Sequence, residues 1–241
     1  MGNSILSVAG LEVAFGSRVI LHSLSLEIPP AACVAIIGPN GSGKTVLLKA
    51  LLGLLPYKGE IRWDVSARPG YVPQQVVADR HLPLTPRDLL EAKARTLKRP
   101  AAEVEEVAGD TDLTADLLDT NLGHLSGGQF QKALIAFALL GAPSVLLFDE
   151  PTASLDELSE ERVYDLLHSL QQQRGMTLLL VSHDLSVVYR YADTVLCLSK
   201  GQACVGPPKD VLTPAMLEQL YAAPSRYYRH HEHAEDVPER R

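Results

Sequence analysis

No run of apolar residues in this sequence approaches the roughly 18 that a helix needs to cross a bilayer. Any work at a membrane therefore requires other subunits to hold the chain there. Met1 to Gly10 does not read as a secretory signal, because it has no basic stretch followed by an apolar one. The opening Met-Gly fails the myristoylation pattern, since the sixth residue is Leu6 rather than Ser or Thr. Basic charge is in deficit. With 22 Lys and Arg against 29 Asp and Glu, the net charge of -7 argues against nucleic acid as a partner, because neutralising phosphates needs a basic surface. Aromatics make up only 5% of residues, so Leu, Val, Ile and Ala must fill the core. The three cysteines, Cys33, Cys197 and Cys204, are an odd number without metal-ligand spacing. They read as reduced thiols packed in apolar strands. A metal or redox pair at Cys197 and Cys204 is the alternative, and nothing adjacent in sequence supports it. No internal repeat or heptad run is visible.

What is present suits one substantial domain: 241 residues, of which 46% are hydrophobic and 21% charged. Partly alternating apolar residues predict strands at Ile5 to Ala9, Leu11 to Phe15 and Leu24 to Ile28, ended by Pro29-Pro30. Cys33 to Ile37 is a continuous apolar run, as expected of a strand buried on both faces. A helical pattern spans Thr45 to Leu55, with strands at Gly59 to Trp63 and Gly70 to Val72. From Thr85 the chain turns rich in Ala, Leu and charged residues, predicting helices at Pro86 to Thr96, Pro100 to Ala108, Thr111 to Leu118 and Gln129 to Leu140. Residues 85–140 read as a small helical lobe inserted into an α/β core. Strands at Val145 to Phe148, Thr177 to Val181 and Thr194 to Leu198 then alternate with helices at Glu157 to Gln173 and Leu185 to Tyr191. Such alternation implies a mostly parallel sheet with helices on its faces.

Gly38-Pro39-Asn40-Gly41-Ser42-Gly43-Lys44-Thr45 matches the P-loop pattern, with a buried strand before it and a helix after. Glycines let the backbone wrap so that its N–H groups face phosphates, and the helix start adds the positive end of its dipole. Lys44 is expected at the β- and γ-phosphates and Thr45 on Mg²⁺. The hydrophobic strand ending in Asp149-Glu150 has the form of a Walker B motif. Asp149 is expected to hold Mg²⁺, and Glu150 to polarise an attacking water. By itself, adjacent Asp-Glu after a strand is as often a pair of surface carboxylates.

Leu125-Ser126-Gly127-Gly128-Gln129 opens an apolar helix. A hydroxyl, exposed N–H groups and a helix dipole make a second anion-binding feature. One chain needs a single phosphate cradle per nucleotide, so a second one suits a nucleotide held by another subunit. With these motifs in this order, about Leu6 to Tyr221 resembles the ATP-binding subunits of ABC transporters. The resemblance implies a P-loop NTPase core with an added antiparallel β subdomain and the inserted lobe, all within residues 1–223. It implies a nucleotide site running from Gly38 to Val46 and completed by Ser126, Gly127, Gly128 and Gln129. Phe15 matches the aromatic that stacks on adenine; a core Phe is the alternative. Gln74 matches the Q-loop glutamine that touches Mg²⁺ and water, with Gln75 adjacent. Ser154-Leu155-Asp156 resembles the D-loop, and His183 the switch histidine near the γ-phosphate. Val46 stands where a second Ser or Thr is common, and Lys132 and Phe137 where Arg is common.

The resemblance further implies ATP and Mg²⁺ as cofactors, a homodimer with ATP at its interface, transmembrane permease subunits, and a place on the cytoplasmic face of the cell membrane. Asp79-Arg80-His81-Leu82-Pro83-Leu84-Thr85, Val195 to Leu198, Cys204 and Gly206 are similar to the corresponding segments of zinc-importer ATPases, which implies import of a divalent transition metal, zinc or manganese, and would add an extracytoplasmic metal-binding protein. A different cargo, or a soluble ABC ATPase without a transport role, is the competing reading. The last residues, 224–241, form a polar tail in which His230, His231, Glu232 and His233 are either zinc ligands or chance histidines. Truncation at Pro224 decides between these: reduced zinc occupancy of the purified protein supports ligation, and equal occupancy removes it.

Overall fold

The computed structural model describes residues 4–74, 83–150, 156–199 and 202–221, with the side chains of Glu157, Gln202 and Gln219 excepted. Strands β1 (Leu6–Phe15), β2 (Arg18–Ile28) and β4 (Lys58–Trp63) form an antiparallel sheet in the order β2-β1-β4. The two strands expected at Ile5 to Ala9 and Leu11 to Phe15 are one. Gly10 has φ +59°, and the pairing with β2 shifts register between Val8 and Leu11, a bulge that lets the strand continue.

The second sheet has the order β5-β6-β7-β3-β8-β9, comprising β3 (Cys33–Ile37), β5 (Pro69–Val72), β6 (Val145–Asp149), β7 (Thr177–Val181), β8 (Thr194–Ser199) and β9 (Gln202–Gly206). Its pairs are parallel except β8 with β9. Alternate side chains of its central strands enter opposite cores. Leu146, Phe148, Leu178 and Leu180 pack with the helical lobe and the long helix α6 (Glu157–Arg174). Val145, Leu147, Leu179 and Val181 pack with the antiparallel sheet and helix α1 (Lys44–Leu51). Trp63 closes that second layer, its Nε1 donating to Leu51 O at 2.9 Å.

The lobe contains α2 (Pro86–Thr96), α3 (Ala102–Asp110), α4 (Ala115–Leu118) and α5 (Gly127–Leu139). Helix α2 has the predicted bounds because Thr85 and Asp88 form a reciprocal capping box ahead of Pro86. Two expectations were too long. Helix α1 stops at Leu51 and the chain turns at Gly53, which has φ +69°. Helix α4 starts at Ala115 rather than Thr111, because Asp112 has φ +52° and the Thr114 hydroxyl caps the Leu117 N–H. Helices α7 (Leu185–Tyr191), α8 (Pro208–Val211) and α9 (Pro214–Tyr221) are the remaining α-helices of the described residues. No described helix is long and apolar enough to cross a membrane.

A buried carboxylate fixes the lobe internally. Glu103 on α3 is 7% exposed; its Oε1 accepts from the Gly141 N–H at 2.6 Å and its Oε2 from Arg99 Nε at 2.5 Å. Burial alone would raise its pKa, but these two donors and the charges of Arg99 and Arg174 hold it below the usual carboxylate range. Glu103→Ala leaves the Gly141 N–H without its acceptor and is expected to cost about 1–3 kcal/mol in chemical denaturation at neutral pH. A depressed native pKa gives stability that is present above the unfolded value and lost as pH falls through the native one, so wild type and variant converge in acid.

Candidate nucleotide site

The site lies beyond the carboxyl ends of β3, β6 and β7, where strand β3 sits between β7 and β8 and chain order reverses. At Gly38 the loop leaves β3 with φ +151°, and a Cβ there would lie 2.1 Å from Leu198 O on β8. Only glycine allows that approach. Helix α1 starts with Gly43 at its N-cap and no side-chain cap, which leaves its first N–H groups for an anion. Lys44 is 7% exposed, and its Nζ donates to Gly38 O at 2.8 Å and Pro39 O at 3.4 Å. The Ser42 hydroxyl is buried beneath the loop with no hydrogen-bond partner among the described residues.

Asp149 ends β6 at 1% exposure. Its Oδ1 accepts from Thr45 Oγ1 at 3.0 Å and its Oδ2 from the Tyr71 hydroxyl at 3.2 Å. Burial raises the Asp149 pKa, opposed by those two hydrogen bonds. Burial beside the carboxylate likewise raises the Tyr71 pKa, so the phenol stays a donor. A hydroxyl and a carboxylate on one spot are hard oxygen donors that fit Mg²⁺. Tyr71 was not a sequence candidate. The signal that would have found it is register: Tyr71 pairs with Leu147, two residues before Asp149 on the same face.

Glu150 follows at φ +40°, a left-handed backbone that is unfavourable for a residue with a Cβ. Its Oε1 lies 2.8 Å from His183 Nδ1, and its Oε2 accepts from Gln74 Nε2 at 3.2 Å. Three predicted residues from the ends of three adjacent strands thus meet. Gln74 reaches the Glu150 carboxylate rather than Asp149; Gln75, its neighbour in the Q-loop reading, lies outside the described residues.

A cleft of about 480 Å³ opens over these groups, with Phe15, Asn40, Lys44, Val46, Gln74 and Glu150 in its wall. Phe15 is 51% exposed at the rim, so it is not a core residue. Arg18, its cross-strand partner, also lines the cleft and was missed by the sequence reading. The signature residues are elsewhere. Ser126 caps α5, accepting from the Gln129 N–H at 3.3 Å while Gln129 Oε1 accepts from the Ser126 N–H at 2.9 Å. Ser126 and Gly127 are exposed, and none of 126–129 lines the cleft. Gly128 instead borders Ser159, whose N–H and hydroxyl donate to Asp156 at 2.9 and 2.7 Å; those bonds lower the Asp156 pKa. Asp156 and the signature therefore form a second cluster away from the P-loop.

Ser154, Leu155, residues 79–82 and the histidines of the tail lie outside the described residues. Cys197 faces Cys204 across β8 and β9, and all three thiols are free. Burial raises the pKa of Cys33 to about 12 and raises that of Cys197 also. Cys33 and Cys197 are core residues as expected, whereas Cys204 is only partly buried. No group of three or more His, Cys, Asp or Glu able to hold a metal occurs among the described residues.

The ABC transporter family pattern matches residues 21–153. The zinc import ATP-binding protein ZnuC of Pseudomonas putida is 34% identical, over 98% of this chain and 93% of that protein. The zinc import ATP-binding protein ZnuC of Cereibacter sphaeroides is 40% identical, over 86% of this chain and 84% of that protein. Among solved structures, an inward-facing metal-chelate type ABC transporter superposes with a TM-score of 0.84 at 28% identity, over 92% of this chain and 90% of that one. CbiO1 of Clostridium perfringens, part of the ABC transporter complex CbiONQ, gives 0.75 at 27% identity, over 89% of this chain and 93% of that one.

Gly38→Ala tests the loop geometry. The new methyl meets the β8 backbone, so nucleotide affinity measured with a fluorescent ATP analogue is expected to fall at least about tenfold, which corresponds to about 1.4 kcal/mol. The melting temperature should fall with it.

Proposed function

We propose that this chain, which belongs to the ABC transporter family, is the ATP-hydrolysing subunit of a divalent-metal importer, with zinc as the cargo. The observation that carries the catalytic part is the meeting of Gln74 and His183 on the Glu150 carboxylate, with Gln74 and Glu150 in the wall of the P-loop cleft. The cargo rests on the zinc import ATP-binding proteins that share 34–40% of its residues.

The chemistry follows from the residues in place. Phe15 at the rim stacks on adenine, and residues 38–46 wrap the phosphates. Lys44 turns its ammonium from the Gly38 and Pro39 carbonyls to the β- and γ-phosphate oxygens. Thr45 and Asp149 would hold Mg²⁺, which would supply positive charge against the phosphates. Glu150 orients the attacking water and takes its proton. His183, on Glu150 Oε1, holds that carboxylate in place, and Gln74 links it to the chain leading into the helical lobe.

The separate cluster at Ser126–Gln129 and Asp156 supports a homodimer in which each ATP lies between one chain's P-loop and its partner's signature. Residues 1–223 act as one ATPase domain carrying the lobe at 85–140, with 224–241 as an appended tail. Transmembrane permease subunits hold the dimer at the cytoplasmic face of the membrane, and an extracytoplasmic metal-binding protein delivers cargo.

Glu150→Gln keeps the side-chain volume and removes the base. Turnover is expected to fall roughly 10²–10⁴-fold with ATP binding retained. Turnover persisting at the wild-type rate would discard Glu150 as the base. In vesicles containing the permease and binding protein, stimulation of ATP hydrolysis by zinc supports the cargo assignment, and indifference to zinc overturns it.

A further inference from the structure

We propose that Tyr71 is a positioning residue of the Mg²⁺ site, acting through Asp149. This rests on the reading of Asp149 as a holder of Mg²⁺. The carboxylate of Asp149 is 1% exposed, and its two oxygens have donors from different elements. Thr45 Oγ1 on α1 donates to Oδ1 at 3.0 Å, and the Tyr71 hydroxyl on β5 donates to Oδ2 at 3.2 Å. The last torsion of an Asp side chain is broad, so a carboxylate held at one oxygen can still turn. Held at both, it has one orientation.

That orientation matters at Thr45. A hydroxyl has one proton and two lone pairs. With its proton committed to Asp149, Thr45 Oγ1 presents lone pairs, which is what a cation requires. If Asp149 turns, the acceptor for that proton moves and the hydroxyl loses its set direction. Tyr71 does not line the nucleotide cleft, and its ring packs against the core layer that contains Leu147. Its hydroxyl therefore reaches the metal site only by way of the carboxylate, as the outer partners of metal ligands do.

The experiment uses the full chain and Mn²⁺ as an electron-paramagnetic probe, titrated in the presence of a non-hydrolysable ATP analogue. Tyr71→Phe keeps the ring and removes only the hydroxyl. Mn²⁺ affinity is expected to fall roughly 10–100-fold, while nucleotide affinity in EDTA and the far-UV spectrum stay as in wild type. Tyr71→Leu also lacks the hydroxyl, and should lose Mn²⁺ affinity to the same degree. Wild-type Mn²⁺ affinity in Tyr71→Phe, with or without a loss in Tyr71→Leu, overturns the proposal, because the hydroxyl would then not be needed. If wild type binds no Mn²⁺ dependent on nucleotide, and Asp149→Asn changes nothing, the assignment of Asp149 fails and the proposal with it.

Discussion

Parallel pairing of β6 with β5 on one side and β7 on the other sets the level at which three segments leave the sheet. Val72, Phe148 and Leu180 lie in one row across those strands. Two residues beyond that row come Gln74 and Glu150, and three residues beyond it His183. A one-residue slip would turn alternate side chains to the opposite face. That slip is resisted because both faces are filled: Phe148 and Leu180 pack into the layer with the lobe, and Leu147 and Leu179 into the layer with α1. The burial of β6 and β7 on both faces is thus what holds the reacting groups together.

The same pairing explains which parts of the site were legible in the sequence. The P-loop, the Asp149-Glu150 end of β6 and the signature are each contiguous, and the backbone chemistry they need is written in neighbouring residues. Helix α2 was readable for the same reason, since Thr85, Pro86 and Asp88 carry its start within four positions. Tyr71 and Arg18 were not readable, because their importance lies in what they meet across a strand pair. Errors in the elements have local causes. Gly10 looked like a break between two strands and is a bulge inside one. Asp112 looked helical by composition and has a left-handed backbone that delays α4 to Ala115. β9 is short and polar at its start, and only its antiparallel pairing with β8 makes it a strand.

The chain carries two features built for anions, and they do not share a cleft. One is the loop from Gly38 to Thr45, where glycine geometry and an uncapped helix start leave N–H groups open. The other is the start of α5, where Ser126 and Gln129 satisfy each other's backbone groups and leave Gly127 exposed. Beside it, Asp156 is committed to Ser159 as the cap of α6. The second cluster is consequently rigid without help from the first, which suits a surface that must be offered to something outside the chain.

The close approach of Gly38 to Leu198 has a consequence for how this sequence can drift. The two atoms in conflict, were residue 38 to gain a methyl, are both close to the main chain, one being a carbonyl oxygen of β8. No choice of side chain at position 198 relieves it. The contact with Gly38 therefore constrains the path of β8 and not the identity of its side chains, which answer to the core they pack in. The codon for residue 38, by contrast, is frozen by a piece of backbone encoded far downstream. The local sequence marks Gly38 as the start of a phosphate loop, but the strand that forbids its replacement lies 160 residues away and is visible only in the fold.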